Sequence, residues 1–252
     1  MSKELRILMQ RVKKQQLEKK YAKTPAKKLC YMIYEEIKAA THDRRRAWDL
    51  LVELLATYLG ITKTKHTKLY WKIVRQGLFS AYMDAALKNP KDHIGDIYME
   101  EGMCGKNSGQ NMTPKQVVKM MIMMVMGDEP MTKQTTQMDP CVGSGRFLFW
   151  SSVLKWDKPL VFYGIEINPY LYKACLVNMK LYATHPYYII CANTLMCAMS
   201  VSPASAIWLY ANRWDPPSMS WSYWEPGPIG RKRFSLKHFV EEIDEEDKAT
   251  LN

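Results

Sequence analysis

From residue 113 onward the chain alternates between two hydrophobic periods. Short runs rich in β-branched and aromatic residues stand near 135–139, 160–166, 187–191 and 206–211. Between the first three, apolar residues recur every three to four positions, near 145–156 and 169–183. Thr113-Pro114 reads as an N-cap followed by proline at the first helical position, opening a helix that runs to Met126. Its end, Met121-Ile122-Met123-Met124-Val125-Met126, is apolar all round, which predicts a buried helix; it is too short to span a bilayer. Strands separated by helices imply an α/β fold with a parallel, doubly wound sheet and right-handed crossovers. A ligand then belongs at the carboxyl ends of the strands.

Earlier in the chain the helical period holds alone. Leu5, Ile7, Leu8, Val12 and Leu17 alternate with Lys3, Arg6, Arg11, Lys13, Lys14, Lys19 and Lys20, the pattern of a basic amphipathic helix that Pro25 ends. Helices are predicted over 27–41 and 46–59, the second carrying Trp48, Leu51, Leu54, Leu55 and Tyr58 with Gly60 as its stop. One more is predicted from Leu69 to Leu87, closed by Asn89-Pro90. After Asp215 periodicity dissolves into Pro, Gly and Ser interleaved with Trp and Tyr, then Arg231-Lys232-Arg233 and an acidic run from Glu241 to Asp247. The expected organisation is a basic helical N-terminal subdomain over 1–100, a ligand-binding α/β domain over 101–225 and a charged tail over 226–252.

Composition changes this picture in two ways. A formal net charge of +11 favours an acidic partner, most simply nucleic acid; a merely solvated basic surface is the plain alternative. The six cysteines, Cys30, Cys104, Cys141, Cys175, Cys191 and Cys197, form no CxxC pair and no zinc spacing with histidine, so reduced thiols and no metal site are expected. The chain shows no signal peptide and no membrane span, so a cytoplasmic protein is expected.

The candidate chemistry lies in Asp139-Pro140-Cys141-Val142-Gly143-Ser144-Gly145-Arg146-Phe147, an acid at a strand end followed by a glycine turn into a helix. Gly143 and Gly145 can take positive φ and let the backbone approach a ligand that a Cβ would exclude. About 20 residues further on, the strand Val161–Ile165 ends in Glu166, the spacing at which a βαβ unit places a carboxylate on a ribose. Two linked signals point to a nucleoside-type cofactor.

These residues carry a family resemblance. Gly109-Gln110-Asn111-Met112-Thr113-Pro114, Asp139-Pro140-x-x-Gly143-Ser144-Gly145, and Gly164-Ile165-Glu166-Ile167-Asn168-Pro169 followed by Asn178 resemble the adenine-specific N6 DNA methyltransferases of the type I restriction-modification modification-subunit kind. His93–Glu100 looks like the helix before the first motif. The resemblance implies a Rossmann-like methyltransferase sheet, S-adenosyl-L-methionine as cofactor and methyl transfer to an exocyclic amine of DNA. It places Asp139, Pro140, Gly143, Ser144, Gly145 and Phe147 at the methionine end of the cofactor, with Thr113 and Pro114 at its carboxylate. Glu166 falls on the ribose hydroxyls with Ile167 beside it. Asn193 falls on the adenine amine, where the family has an acid; an amide oxygen accepts the same bond.

The family's fourth motif, a polar residue, two prolines and an aromatic past the fourth strand, is altered here. Asn212 sits at the right distance from strand 206–211 without the prolines, whereas Asp215-Pro216-Pro217 has them three residues late and ends in Ser218, which cannot stack on a base. Trp214 and Trp221 are candidates for the ring. Only 35 residues follow Pro217, so the expectation is either a shortened sheet or a partner protein or self-association that completes the sheet and target recognition. Three readings stay open: an adenine N6 DNA methyltransferase, a catalytically weakened subunit that binds cofactor or nucleic acid, and a methyltransferase acting on RNA or protein nitrogen.

Overall fold

The computed structural model describes residues 20–103, 111–127 and 135–194. Helix α1, Ala26–Thr41, turns Leu29, Cys30, Ile33, Tyr34 and Ile37 into the interior. Helix α2, Arg44–Tyr58, is capped by Asp43, whose side chain accepts the Arg46 amide at 2.7 Å; such a cap contributes about 1 kcal/mol. The single helix expected from Leu69 to Leu87 is two, α3 over Thr67–Arg75 and α4 over Leu78–Lys88. The apolar period runs on through Gln76-Gly77, but Gly77 takes φ +71° and its amide bonds back to Val74, so the chain turns where the pattern alone shows no break.

Helix α5, His93–Glu100, is held from three sides. Trp48, wholly buried in α2, donates its indole N–H to the Ile94 carbonyl at 3.0 Å, and its ring lies 4.8 Å from Tyr98. Lys27 and Tyr31 of α1 reach Glu100, and Tyr182 donates to the Lys91 carbonyl at 3.0 Å.

Helix α6, Lys115–Met126, departs from expectation at both ends. Pro114 stands at the cap position and no side chain caps the helix, so Thr113 does not play that part. Nor is the helix buried. Only Val118, Ile122 and Met126 face the interior, one stripe at spacing i, i+4, i+8, while Met120, Met121, Met123, Met124 and Val125 are exposed. From Met120 to Met126 every residue is apolar, so that stretch carries no periodicity from which to read a buried face, and packing selected the stripe. Those three side chains contribute roughly 1.5–3 kcal/mol each.

Strand β1, Thr135–Asp139, helix α7, Arg146–Leu154, strand β2, Leu160–Glu166, helix α8, Pro169–Tyr182, and strand β3, Tyr187–Cys191, follow the expected order. The strands form a parallel sheet in the order β1-β2-β3, with Asp139 opposite Gly164 and Glu166 opposite Cys191. Both crossover helices pack against one face and against each other, and α8 also packs on α2. One continuous buried cluster therefore runs from Tyr21 in the helical part to Ile189 in the sheet. The opposite face carries a separate small cluster of Ile165, Ile190 and Ala192, beside which the Tyr163 and Tyr188 rings stack 5.3 Å apart. The fold is Rossmann-like, with helices preceding a parallel sheet. The expected strand 206–211, the helix over residues 1–19 and the tail lie outside the described residues.

Candidate active site

Parallel pairing in this register brings the last residues of β1 and β2 side by side at the carboxyl edge. The loop after β1 is built onto the sheet: the Val142 amide donates to the Ile165 carbonyl at 3.0 Å and the Gly145 amide to the Val142 carbonyl at 2.8 Å. Gly143 and Gly145 have φ of +56° and +86°. At Gly145 space is limiting as well, because a Cβ would stand 2.8 Å from the Cys175 Sγ and 3.5 Å from its Cα. This glycine lets α7 start against α8.

Glu166, only 7% exposed, reads that loop directly. Its Oε2 accepts the Gly143 amide and its Oε1 the Asn168 amide, each at 2.8 Å. A carboxylate has about four acceptor sites, so both oxygens retain capacity. Asn168 in turn caps α8 by accepting from the Tyr170 and Leu171 amides, with Pro169 at the first helical position. Asp139 accepts the Cys141 amide at 3.0 Å. Burial raises its carboxyl above the usual range, the Cys141 amide pulls it back down, and the charge of Glu166 pushes it up again. Neither acid has an ion pair among the described residues.

Beneath the loop lies a network that sequence reading missed. Asp92, at the cap of α5 and 2% exposed, accepts from the Gly95 amide at 2.8 Å, Ser144 Oγ at 2.5 Å, Arg146 Nε at 2.7 Å and Asn178 Nδ2 at 2.9 Å. Arg146 also reaches Asp96 at 2.6 Å and the Thr113 carbonyl at 3.1 Å, and Asn178 donates to the Ser144 carbonyl at 2.8 Å. Burial works against the Asp92 carboxylate, but Arg146 and the Ser144 and Gly95 donors outweigh it and hold the carboxyl below its ordinary value. A Cβ at Gly95 would overlap that carboxylate. The legible signal was the N-cap at Asp92 before an apolar run; its pairing with the loop 52 residues away was not legible.

A cavity of about 590 Å³ opens over the loop and runs along β1 beneath α6. Of the expected residues, Thr113, Asp139, Pro140, Gly143, Ser144 and Phe147 line it together with Asn111 and Met112. Pro114, Gly145, Glu166, Ile167 and Asn193 are not in its wall. Ile167 stands exposed, 61%, just past Glu166, so it is not a core residue. Asn193 follows β3, where the Ala192 amide continues the ladder to the Glu166 carbonyl at 2.9 Å. Asn212, Asp215, Pro216 and Pro217 lie outside the described residues.

The model of the N-6 DNA methylases covers residues 89–247. The chain belongs to the N-6 DNA methylase family. No curated protein sequence matches it. Two of the solved structures similar to it are methyltransferases. One is a protein of Listeria monocytogenes described as a class I S-adenosylmethionine-dependent methyltransferase, 15% identical over 70% of this chain, with a TM-score of 0.49. The other is a type I restriction-modification system methyltransferase subunit of Streptococcus thermophilus, 20% identical over 69% of this chain, with a TM-score of 0.38. The chain spans about half the length of these proteins, 55% and 41%. The family match begins just before α5 and so takes in Asp92 along with the loop it supports.

Proposed function

We propose that the chain binds S-adenosyl-L-methionine at the Asp139–Phe147 loop and transfers its methyl group to the N6 amine of adenine in DNA. The observation that carries this reading is the pair of carboxylates, Asp139 and Glu166, flanking one glycine loop with no cation against either among the described residues. Two adjacent acids, one of them raised by burial and by the other's charge, favour a cationic ligand. The cofactor supplies an electrophilic methyl group on a cationic sulfur atom.

On this reading the Asp139 carboxylate takes the ammonium, and the loop from Pro140 to Gly145 gives backbone approach to the methionine end. Thr113 and Pro114 border the carboxylate, Phe147 closes the wall, and the free lone pairs of Glu166 accept the ribose hydroxyls. Exposed Ile167 offers apolar surface to the base and Asn193 an acceptor for its amine. Alignment of donor and acceptor supplies most of the acceleration such a reaction needs. The Asp215-Pro216-Pro217 carboxylate, or the Asn212 amide, accepts a hydrogen bond from the target amine and directs its lone pair at the methyl group. The +11 charge supports DNA as partner, and a partner protein or second copy completes target recognition.

Calorimetry with S-adenosylmethionine and transfer of tritiated methyl to DNA test this reading. Glu166→Ala removes charge-assisted acceptors worth about 1.5–3 kcal/mol each, so its affinity should fall at least tenfold. Asp215→Ala or Asn212→Ala should stop transfer with binding intact. The altered fourth motif favours a second reading, a cofactor-binding subunit without catalysis; wild type that binds cofactor but labels no DNA, alone or with its partner, establishes it.

A further inference from the structure

A second cavity, of about 690 Å³, lies among the helices, between the start of α1, the length of α4 and the starts of α5 and α6. Five lysines, Lys23, Lys27, Lys88, Lys91 and Lys115, face a single carboxylate, Asp84, in its wall, and no arginine is present there. Lys27 pairs with Glu100 at 2.5 Å and Lys91 with Asp96 at 3.5 Å. Lys23 and Lys88 have no ion pair among the described residues. The Lys115 ammonium lies 5.1 Å over the Trp150 ring, which fixes where that charge stands.

Two further features favour an anion. The first turn of α1, Pro25-Ala26-Lys27, is part of the wall, and this helix has neither a side-chain cap nor an acid in its first turn. Its leading amides and positive dipole end therefore stand unopposed by any acid of that turn. His93, 4% exposed, also lines the cavity, and its Nδ1 has no hydrogen-bond partner among the described residues. Lysine ammonium groups hold phosphate oxygens as point charges and need no bidentate geometry to do so.

We propose that this basic cavity is a phosphate-binding site for the backbone of duplex DNA, separate from the cofactor cavity. The inference rests on the DNA reading above and adds where the backbone is held. The two cavities share one stretch of chain, Thr113 lining the first and Lys115 the second. A strand held by its phosphates at Lys115 is thereby anchored beside the cofactor site, which fixes register without reading sequence.

The test uses the full chain and a fluorescent duplex, with affinity measured by anisotropy across a salt series. Lys23→Gln combined with Lys88→Gln removes two exposed, unpaired charges. Each lost phosphate contact lowers the slope of log affinity against log salt by about 0.9, so the double variant should lose roughly two. The corresponding double arginine variant should keep the wild-type slope, and calorimetry should show unchanged S-adenosylmethionine binding in both. Wild type that binds duplex with a slope the glutamine variant leaves intact overturns the cavity site while the methyltransferase reading stands. Wild type that binds no duplex overturns the site too, and label transfer then judges the other reading separately. Competition by pyrophosphate at the affinity of the duplex would reassign the cavity to a free phosphate compound and overturn the DNA assignment.

Discussion

Asp92 and Arg146, 54 residues apart, meet at 2.7 Å and join the cap of α5 to the first residue of the helix that the glycine loop opens. Asp92 is buried and Arg146 half-buried, and each has further partners, Asp96 for the guanidinium and Ser144, Asn178 and the Gly95 amide for the carboxylate. Asp92→Asn should cost about 1.5–3 kcal/mol, the worth of a hydrogen bond to a charged group, because Arg146 keeps Asp96 at 2.6 Å. Arg146→Met should cost less in the Asp92→Asn background than in the wild type, because the buried carboxylate that needs the guanidinium is then gone. Urea unfolding of the two single variants and the double variant closes the cycle. A coupling energy within about 0.5 kcal/mol of zero would show that the two act independently.

His93 sets a pH dependence of stability. Burial depresses its imidazole to about 4 in the fold, whereas an unfolded histidine titrates near 6.5. Between those values the unfolded chain binds the extra proton, so stability is fully present above about pH 6.5 and falls as the pH drops toward 4. The loss attributable to this residue is about 3 kcal/mol. Thermal melts at pH 7 and pH 5 should show the drop, and His93→Leu should flatten it; an unchanged slope in that variant rejects the assignment.

The two loop glycines should rank. Gly143→Ala meets nothing nearer than the Met112 sulfur at 3.9 Å, so it pays only for positive φ, about 1–2 kcal/mol. Gly145→Ala carries the same backbone cost and in addition drives a Cβ to 2.8 Å from the Cys175 Sγ. It should be the more destabilising by urea midpoint. Equal midpoints would refute close approach as the reason for this glycine.

Helix α6 offers a contrast within one turn. Ile122, fully buried, should cost about 2–5 kcal/mol on replacement by alanine. Met124, 77% exposed, should stay within about 0.5 kcal/mol. Similar losses at both positions would mean that something covers the methionine side of the helix in solution.

Asp139, the two loop glycines and Glu166 were legible because each is a local signal: an acid at a strand end, a turn that needs positive φ, and a carboxylate at fixed chain distance. The same holds for β1, β2, β3 and the helices between them, where alternating periods name elements whatever packs on them. The family resemblance rests on those residues, and the N-6 DNA methylase match covers them. Long-range partners could not be read. Which face of α6 is buried was undetermined, since every residue from Met120 to Met126 is apolar and only contact with α7 selects Val118, Ile122 and Met126. The break at Gly77 was hidden because apolar spacing continues across it. That Glu166 holds the Gly143 amide, and that Asp92 gathers Ser144, Arg146 and Asn178, follows from strands and helices brought together by one shared core. The sequence by itself determined which chemical groups stand at the strand ends. Only the tertiary structure decided which of them touch, because burial makes a buried charge find its partner through space and not along the chain.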